Sequence, residues 1–132
     1  MIDRLQEKDI DQVAQIEAEI FSVPWSIKSF KDALASEQNI YLKAETDGQI
    51  VGYCGIWTSF ESADLCNIAV KKEFRKAGLG QKLLEAGIQE AAAKGVERIL
   101  LEVRQSNKAA IRLYEKNGFQ TIGLRKSYYT KP

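Results

Sequence analysis

Apolar residues recur along the first part of the chain with a helical period. A first helix is predicted between residues 10 and 21, after a short strand over residues 2–6. Its apolar positions are Ile10, Val13, Ile16 and Ile20. Pro24 ends this run, and Ser26 is placed to cap a second helix. That helix has an apolar stripe of Ile27, Phe30, Ala33 and Leu34.

The middle of the chain has the composition of β-strands. Residues 40–45 and 49–57 are rich in β-branched and aromatic side chains, and Asp47 and Gly48 lie between them. An Asp-Gly pair between two such runs predicts a hairpin. A third run, residues 63–70, is expected to extend this antiparallel sheet.

The last part of the chain alternates helical and strand-like patterns. Gly95 and Gly118 stand where two of its helices are expected to stop. The predicted elements are a helix over 79–94, a strand over 98–103, a helix over 107–117 and a strand over 120–129. The order βααβββαβαβ indicates an α/β (α+β) fold.

Composition limits the classes of protein to consider. A chain of 132 residues with 45% hydrophobic content suits one domain over residues 1–132. The net charge is +1 and no long run of like charges occurs, so we expect no direct nucleic-acid or membrane contact. No apolar stretch approaches the roughly 20 residues that span a bilayer, and we expect a cytoplasmic protein.

The chain contains no histidine. This argues against Ser-His-Asp triads, Cys-His dyads and most catalytic zinc sites, so no metal is expected. Cys54 and Cys66 lack the spacing of a metal or redox motif, and we expect them to be reduced, half-buried strand residues.

A basic, glycine-bearing turn separates a strand-like run from the helix that follows. Gly78 and Gly80 let the backbone turn tightly and approach a ligand, and the start of the helix offers unpaired amides to an anion. A P-loop would need Lys and then Ser or Thr where Gln81 and Lys82 stand. A dinucleotide fingerprint would need Gly or Ala at Leu83.

Six positions of this turn match a pattern of Arg or Gln, two variable residues, Gly, one variable residue, and then Gly or Ala. They are Arg75, Lys76, Ala77, Gly78, Leu79 and Gly80. The turn resembles the acetyl-CoA-binding motif of the GNAT N-acetyltransferases. This resemblance implies acetyl-CoA as cosubstrate, with its pyrophosphate on Arg75 through Gln81. It also implies the GNAT fold, a mixed and mostly antiparallel sheet flanked by helices.

Three further segments resemble one bacterial branch of that family, the ribosomal-protein-alanine N-acetyltransferases (RimI). They are FSVPWS from residue 21, NIAV from residue 67 and LEVRQSNKAAIRLYEKNGF from residue 101. The resemblance implies a protein N-terminus as acceptor, namely the alanine of a small-subunit ribosomal protein. This acceptor would lie near Trp25, Tyr128 and Tyr129. Trp25 could equally be a hydrophobic lid over the core.

Two residues carry the chemistry that the resemblance implies. Glu102 would remove a proton as the substrate amine attacks the thioester, and Tyr114 would protonate the departing sulfur. From the pattern alone, Glu102 could instead pair with Arg104 on an exposed face, and Tyr114 could be an ordinary core aromatic.

Main-chain groups are also implicated by the resemblance. The amides of Ile68, Ala69 and Val70 would hold the pantetheine arm and polarise the thioester carbonyl. Asn107 would contact CoA, and its residue type also suits a helix cap.

The amine itself has a physical preference. An α-amine has a reference pKa of about 7.7–8.0 and lysine one near 10.4, so deprotonating lysine at neutral pH costs roughly 3–4 kcal/mol more. A modest base therefore suits a protein N-terminus. An internal lysine, a small amine, or a non-catalytic CoA-binding module stay open as alternatives.

The end of the chain differs from the family pattern. The family continues past the Tyr-Tyr pair, whereas this sequence stops at Pro132, so we expect its final strand to be missing. We therefore expect an open sheet edge, and either a monomer or a dimer paired through that edge.

Overall fold

The computed structural model describes residues 2–21, 23–75, 78–102, 108–122 and 127–130. For residues 102, 120–122 and 127–130 the description covers the main chain. The strands are β1 (Ile2–Arg4), β2 (Ile40–Thr46), β3 (Gln49–Ser59), β4 (Ser62–Val70), β5 (Arg98–Glu102), β6 (Gln120–Ile122) and β7 (Ser127–Thr130). The helices are α1 (Ile10–Ile20), α2 (Ile27–Ala35), α3 (Leu79–Ala93) and α4 (Lys108–Lys116).

The strands form one seven-stranded sheet in the order β1-β2-β3-β4-β5-β7-β6. Neighbouring strands are antiparallel except β4 and β5, which are parallel. Helices α1 and α2 bury their apolar residues on one face, and α3 and α4 bury theirs on the other. The predicted α/β (α+β) class, with a mixed and mostly antiparallel sheet between helices, is confirmed.

Local signals place several boundaries where the sequence predicts them. The Ser26 hydroxyl accepts a hydrogen bond of 3.1 Å from the Ser29 amide, which caps α2. Asp47 and Gly48 both have positive φ, 53° and 76°, as a type I′ hairpin turn requires. Ile27, predicted to lie on the buried stripe of α2, is instead 45% exposed because it belongs to the first turn of that helix.

The single last strand predicted over residues 120–129 is wrong. Two strands, β6 and β7, pair with each other in antiparallel fashion, and β7 inserts between β6 and β5. The final strand expected to be missing would follow the Tyr-Tyr pair, which itself lies in Ser127–Thr130, so β7 is not that strand. Short apolar runs do not show where a chain reverses, so periodicity could not separate one strand from two.

Among the described residues, strands β4 and β5 pair only where they begin. Three residue pairs join them, from Ser62 opposite Arg98 to Asp64 opposite Leu100. Beyond Asp64, β4 continues to Val70 while paired only with β3. The two parallel strands therefore part and leave a wedge in the sheet, which we call the β4/β5 wedge.

A β-bulge at Cys66 changes which way β4 directs its side chains. Gly55 pairs with Asn67 and the next β3 residue, Ile56, pairs with Leu65, so Cys66 has no partner on β3. Ala63 and Leu65 pack on the α3 side before the bulge, as do Ile68 and Val70 after it. Ala69 packs on the α1/α2 side.

Both cysteines are free, as expected. Cys54 is buried, and burial raises the pKa of its thiol to about 12, so it is an inert core residue. Cys66 is exposed rather than half-buried, since the bulge turns it outward. Within the described part of the chain, none of the helices combines the length and apolar character needed to cross a bilayer.

Candidate active site

The β4/β5 wedge exposes main-chain groups in the interior of the sheet. Ile68, Ala69 and Val70 pair with β3 on one side, and on the other side they pass the point where β5 has diverged. Alternate residues of a strand direct their N–H groups to opposite sides. Among the described residues, the amides that face the wedge therefore have no strand partner, and the cofactor role that the sequence resemblance implied for these three residues stays a prediction.

The glycine-bearing turn lies at the end of β4. Gly78 has a φ of +78° and precedes α3 as its N-cap, and its carbonyl accepts from the Lys82 amide at 3.1 Å. The amides of Leu79, Gly80 and Gln81 are thus at the free N-terminus of a fifteen-residue helix, where an anion is stabilised.

Arg75 connects this turn to the wedge. Its Nε donates a hydrogen bond of 2.9 Å to the Val70 carbonyl, which fixes the guanidinium between the end of β4 and the start of α3. Lys76 and Ala77, also predicted to bind the cofactor, lie outside the described residues. The described part of the turn therefore offers one arginine and the first amides of a helix to a phosphate.

The Gln81 side chain joins two helices, and the predicted contact of Gln81 with the cofactor stays a prediction. Its amide and that of Asn117 exchange two hydrogen bonds of 2.8 Å each, which join the start of α3 to the end of α4. Its Nε2 also donates to Glu85 at 2.6 Å. Only the main-chain amide of Gln81 is left for a cofactor, and sequence reasoning did not identify Asn117.

Tyr114 lies on α4, facing the core on the α3 side of the sheet. The residue is 6% exposed, and its ring packs against Phe119 with centroids 5.7 Å apart. Burial, with a smaller contribution from Cys54, raises the pKa of Tyr114 to about 12. The phenol is therefore protonated throughout the physiological range and can act as a donor. The core-packing interpretation of Tyr114 is also correct, since the ring is buried.

Strand β7 brings the predicted tyrosine pair next to the predicted base. Glu102 pairs with Ser127 through the main chain, and the preceding residue, Leu101, pairs with Tyr128. Tyr129 pairs with Leu100. These registers place Glu102 on the strand that borders the wedge, and Tyr128 and Tyr129 one strand farther away, across β5. Asn107 and Arg104 lie outside the described residues, and the roles of all these side chains stay predictions.

The loop between α1 and α2 carries Trp25 on the opposite face of the sheet. Its ring contacts Phe30 at 5.3 Å and Trp57 at 5.8 Å, measured between ring centroids. Trp25 is only partly buried, and Trp57 is 41% exposed. The two indoles form an accessible aromatic surface, so Trp25 both covers core residues and reaches solvent.

A buried carboxylate holds this loop in place. Glu17 is 3% exposed, accepts a 2.9 Å hydrogen bond from the Trp25 amide, and accepts a short one from the Tyr53 hydroxyl. Burial and the adjacent Glu17 raise the pKa of Tyr53 well above its ordinary range. Sequence reasoning missed Glu17, although an acidic residue on the same helical face as Val13 and Ile20 was a usable signal.

The family follows from a comparison with known proteins. A sequence model of the Acetyltransferase (GNAT) family matches residues 10–119. The chain belongs to the GNAT acetyltransferase family. It is accordingly an enzyme, and the wedge, the turn and α4 occupy the region of the fold that this match covers.

Two bacterial relatives match almost the whole of this acetyltransferase. A Bacillus subtilis protein is 44% identical over 124 residues, which are 93% of this chain and 82% of that protein. A Haemophilus influenzae protein is 36% identical over 132 residues, which are 100% of this chain and 89% of that protein. The latter is named [ribosomal protein bS18]-alanine N-acetyltransferase.

Solved structures agree with these relatives. The crystal structure of the Escherichia coli ribosomal-protein-S18-alanine N-acetyltransferase has a TM-score of 0.86 and 31% identity, and the match covers 98% of this chain and 90% of that one. The PaiA N-acetyltransferase of Thermoplasma acidophilum, solved in complex with coenzyme A, has a TM-score of 0.88 at 20% identity, covering 100% and 98% of the two chains. The second match shows the shared fold.

Proposed function

We propose that this GNAT acetyltransferase transfers the acetyl group of acetyl-CoA to a protein N-terminal α-amine, namely the N-terminal alanine of ribosomal protein bS18. The observation that carries the proposal is 36% identity over the full chain to an H. influenzae enzyme of that name. The E. coli enzyme, with 31% identity and a TM-score of 0.86, supports the same acceptor. We assign the whole chain to one catalytic domain acting in the cytoplasm, where bacterial ribosomes are assembled.

Acetyl-CoA is assigned to the wedge and the turn. The pyrophosphate would contact Arg75, Lys76 and the amides at the start of α3, because a helix N-terminus and a guanidinium both favour phosphate. The amides of Ile68, Ala69 and Val70 would hold the pantetheine arm and polarise the thioester carbonyl as oxyanion donors do. Asn107 would add a further CoA contact.

The reaction is a direct attack by the amine on the thioester carbon. Glu102 accepts a proton from the attacking amine, through a water molecule, while the new C–N bond forms and the C–S bond breaks. Tyr114 donates its proton to the departing CoA sulfur. No covalent acyl-enzyme is needed, since the chain supplies both a base and an acid.

The acidity of Tyr114 limits how the proton moves. With a phenol pKa of about 12 and a reference thiol value near 8.5, full transfer to the thiolate is uphill by about 5 kcal/mol. A strong hydrogen bond from the phenol to the departing sulfur therefore accounts for most of the stabilisation. Binding of the cofactor beside the ring would change this balance.

The acceptor is assigned to the opposite face of the wedge, between Trp25 and the Tyr128–Tyr129 pair. An α-amine is deprotonated more readily than a lysine by roughly 3–4 kcal/mol at neutral pH. The two edge strands, β1 and β6, have three residues each, which offers little main chain for pairing with another copy. We therefore assign the monomer as the active form.

Two peptides test the proposal. One begins with a free alanine, and the other is N-terminally blocked and contains an internal lysine. After incubation with acetyl-CoA, mass spectrometry locates the acetyl group. Acetylation of the free alanine alone supports the proposal, and acetylation of lysine replaces it with a lysine acetyltransferase. Binding of acetyl-CoA with no transfer to either peptide would favour a different acceptor or a CoA-binding module.

A further inference from the structure

A row of three residues crosses the sheet from β2 to β4. Tyr41 on β2 pairs with Gly55 on β3, and Gly55 pairs with Asn67 on β4. A Cβ atom at Gly55 would lie 2.3 Å from a Tyr41 ring carbon, so only glycine leaves room for the ring. The ring therefore lies across β3, and its hydroxyl reaches Asn67 at 3.2 Å.

The hydrogen bonds in this row fix how the Asn67 carboxamide is turned. Trp57 Nε1 donates to the Tyr41 hydroxyl at 2.8 Å, and an indole N–H can only donate. The Tyr41 hydroxyl then uses its own hydrogen toward Asn67, which must present Oδ1. The Nδ2 amino group of Asn67 consequently points away from Tyr41.

Asn67 Nδ2 has two N–H donors and no hydrogen-bond acceptor among the described residues, although the residue is only 6% exposed. Leaving a donor unpaired in such a place costs about 1–3 kcal/mol. Fully enclosed side-chain polar atoms of the described residues all have partners, so Nδ2 reaches an accessible space. A nearly buried donor that keeps only a residual contact with solvent is suited to a ligand carbonyl.

The position of Asn67 indicates which ligand. The bulge at Cys66 turns Asn67 to the α1/α2 face, where it bonds to Tyr41 of that core cluster. The glycine turn and α3 lie on the other face. Asn67 also immediately precedes Ile68 at the wedge. It therefore faces the side assigned to the acceptor, next to the point where the thioester would lie.

We propose that Asn67 Nδ2 donates a hydrogen bond to the first carbonyl oxygen of the acceptor polypeptide, so that Asn67 selects α-amines over lysine ε-amines. The inference rests on the proposed function. A single carbon separates an α-amine from its carbonyl, whereas four methylenes separate a lysine amine from its own Cα. Only an N-terminal acceptor can place its amine at the thioester and a carbonyl at Asn67 together.

The test compares two acceptors in three enzymes. One acceptor is the alanine peptide, and the other has a trans carbon–carbon double bond in place of its first peptide bond, which removes that carbonyl. Losing the carbonyl also raises the pKa of the amine, so each kcat/KM is expressed per deprotonated amine, from the measured pKa of each peptide. The enzymes are wild type, Asn67→Leu and the control Thr58→Val. Thr58 lies on β3 and donates to the Gln38 carbonyl at 2.6 Å, so the control also removes a polar group from the sheet.

Wild type should prefer the alanine peptide in kcat/KM by roughly 3- to 10-fold, the equivalent of one neutral hydrogen bond. Asn67→Leu should lose this preference while keeping the KM for acetyl-CoA, and Thr58→Val should keep both. Equal losses on both acceptors, or a raised KM for acetyl-CoA, would show that Asn67 is structural or serves the cofactor, and would overturn the inference. If the wild-type enzyme does not acetylate the alanine peptide, the proposed function is wrong, and the inference that rests on it fails as well.

A second variant covers the case in which Asn67→Leu does not fold. Tyr41→Phe leaves Asn67 in place but removes the hydroxyl that orients its carboxamide. In this variant, the ratio of kcat/KM for the alanine peptide to kcat/KM for the peptide without the first carbonyl should fall toward one. An undiminished preference would contradict the assigned geometry.

Discussion

Gln81 and Asn117 bind each other through a reciprocal pair of side-chain hydrogen bonds, each 2.8 Å long. Asn117 also donates to the Leu113 carbonyl at 2.8 Å, so it is fixed to α4 as well as to α3. The pair therefore links the helix that begins at the glycine turn to the helix that carries Tyr114. A cofactor bound at the turn and an acid on α4 depend on the same contact for their relative position.

Asn117→Ala should lower both stability and turnover. Losing three neutral, partly buried hydrogen bonds, two with Gln81 and one to the Leu113 carbonyl, should cost about 2–4 kcal/mol of unfolding free energy, and the thermal midpoint should fall by roughly 6–16 °C. Turnover should fall at a temperature where the variant is folded, because α4 is no longer held. Gln89→Ala, on the exposed side of α3, is the control and should change neither quantity. If Asn117→Ala kept the wild-type thermal midpoint and the wild-type kcat, the Gln81–Asn117 pair would have no role in positioning α3 and α4.

Gly78→Ala should weaken acetyl-CoA binding. Its φ of +78° is unfavourable for alanine, and Gly48 has nearly the same φ, +76°, in the hairpin turn between β2 and β3. A Cβ at either glycine meets no atom within 4 Å, so strain of about 1–2 kcal/mol is the shared effect. Both variants should lose similar stability, but only Gly78→Ala should raise the KM for acetyl-CoA. If Gly48→Ala raised the KM for acetyl-CoA to a similar extent, the change in KM would come from lost stability and not from the position of Gly78 in the glycine turn.

Tyr114→Phe and Glu102→Gln should each lower kcat by about 10²-fold or more, the usual contribution of a general acid or base. Acetyl-CoA binding, measured by calorimetry, should persist in both. The control is Phe119→Leu, which disturbs the packing of the Tyr114 ring but keeps its hydroxyl. Because the pKa of Tyr114 is raised to about 12, the wild-type rate should show no loss from phenol ionisation below about pH 11. Full activity in Tyr114→Phe would leave the ring with a packing role only.

The Asp9–Lys43 pair should make stability depend on pH. Lys43 Nζ lies 2.8 Å from Asp9 Oδ2, and each side chain is 6% exposed. Burial acts to raise the pKa of Asp9, but hydrogen bonds from Lys43 and the Gln6 amide outweigh it and hold this pKa below its ordinary value. The hydrogen bond to Asp9 raises the pKa of Lys43.

The direction of the effect follows from these two shifts. The stabilising contribution of Asp9 to the folded state is present above its unfolded pKa, about 3.9. It is lost as the pH falls through the lower pKa that Asp9 has in the folded protein. The stabilising contribution of Lys43 is present below its unfolded pKa, about 10.4. It is lost as the pH rises through the higher pKa that Lys43 has in the folded protein. Asp9→Asn should cost about 2–3 kcal/mol at pH 7, and less at pH 2. The cost is below that of an unpartnered buried charge because Glu45 Oε1 lies 3.0 Å from Lys43 Nζ and still pairs with it. Asp32→Asn breaks an exposed pair with Lys28 and should cost under about 1 kcal/mol in the same denaturation experiment.

Several features of the site were readable from the sequence because they depend on neighbouring residues. The glycine turn before α3 and the Ser26 cap of α2 involve contacts across three or four positions. The resemblance to GNAT enzymes rested on such local motifs, and the family match confirms it. Asn117, in contrast, was passed over as the end of a helix because its partner is 36 positions away.

The sequence by itself determined the helices, most strands, the hairpin at Asp47–Gly48, the phosphate-type turn and the family, because each follows from periodicity, turn chemistry or a contiguous motif. Only the tertiary structure decided that β7 inserts between β5 and β6, and that β4 bulges at Cys66 so that Asn67 faces the side of the sheet that α1 and α2 cover. It also decided that Glu17 holds the loop of Trp25. The physical reason is that strand order, register and buried hydrogen bonds are settled by which distant surfaces can be buried together, and no local pattern records that choice.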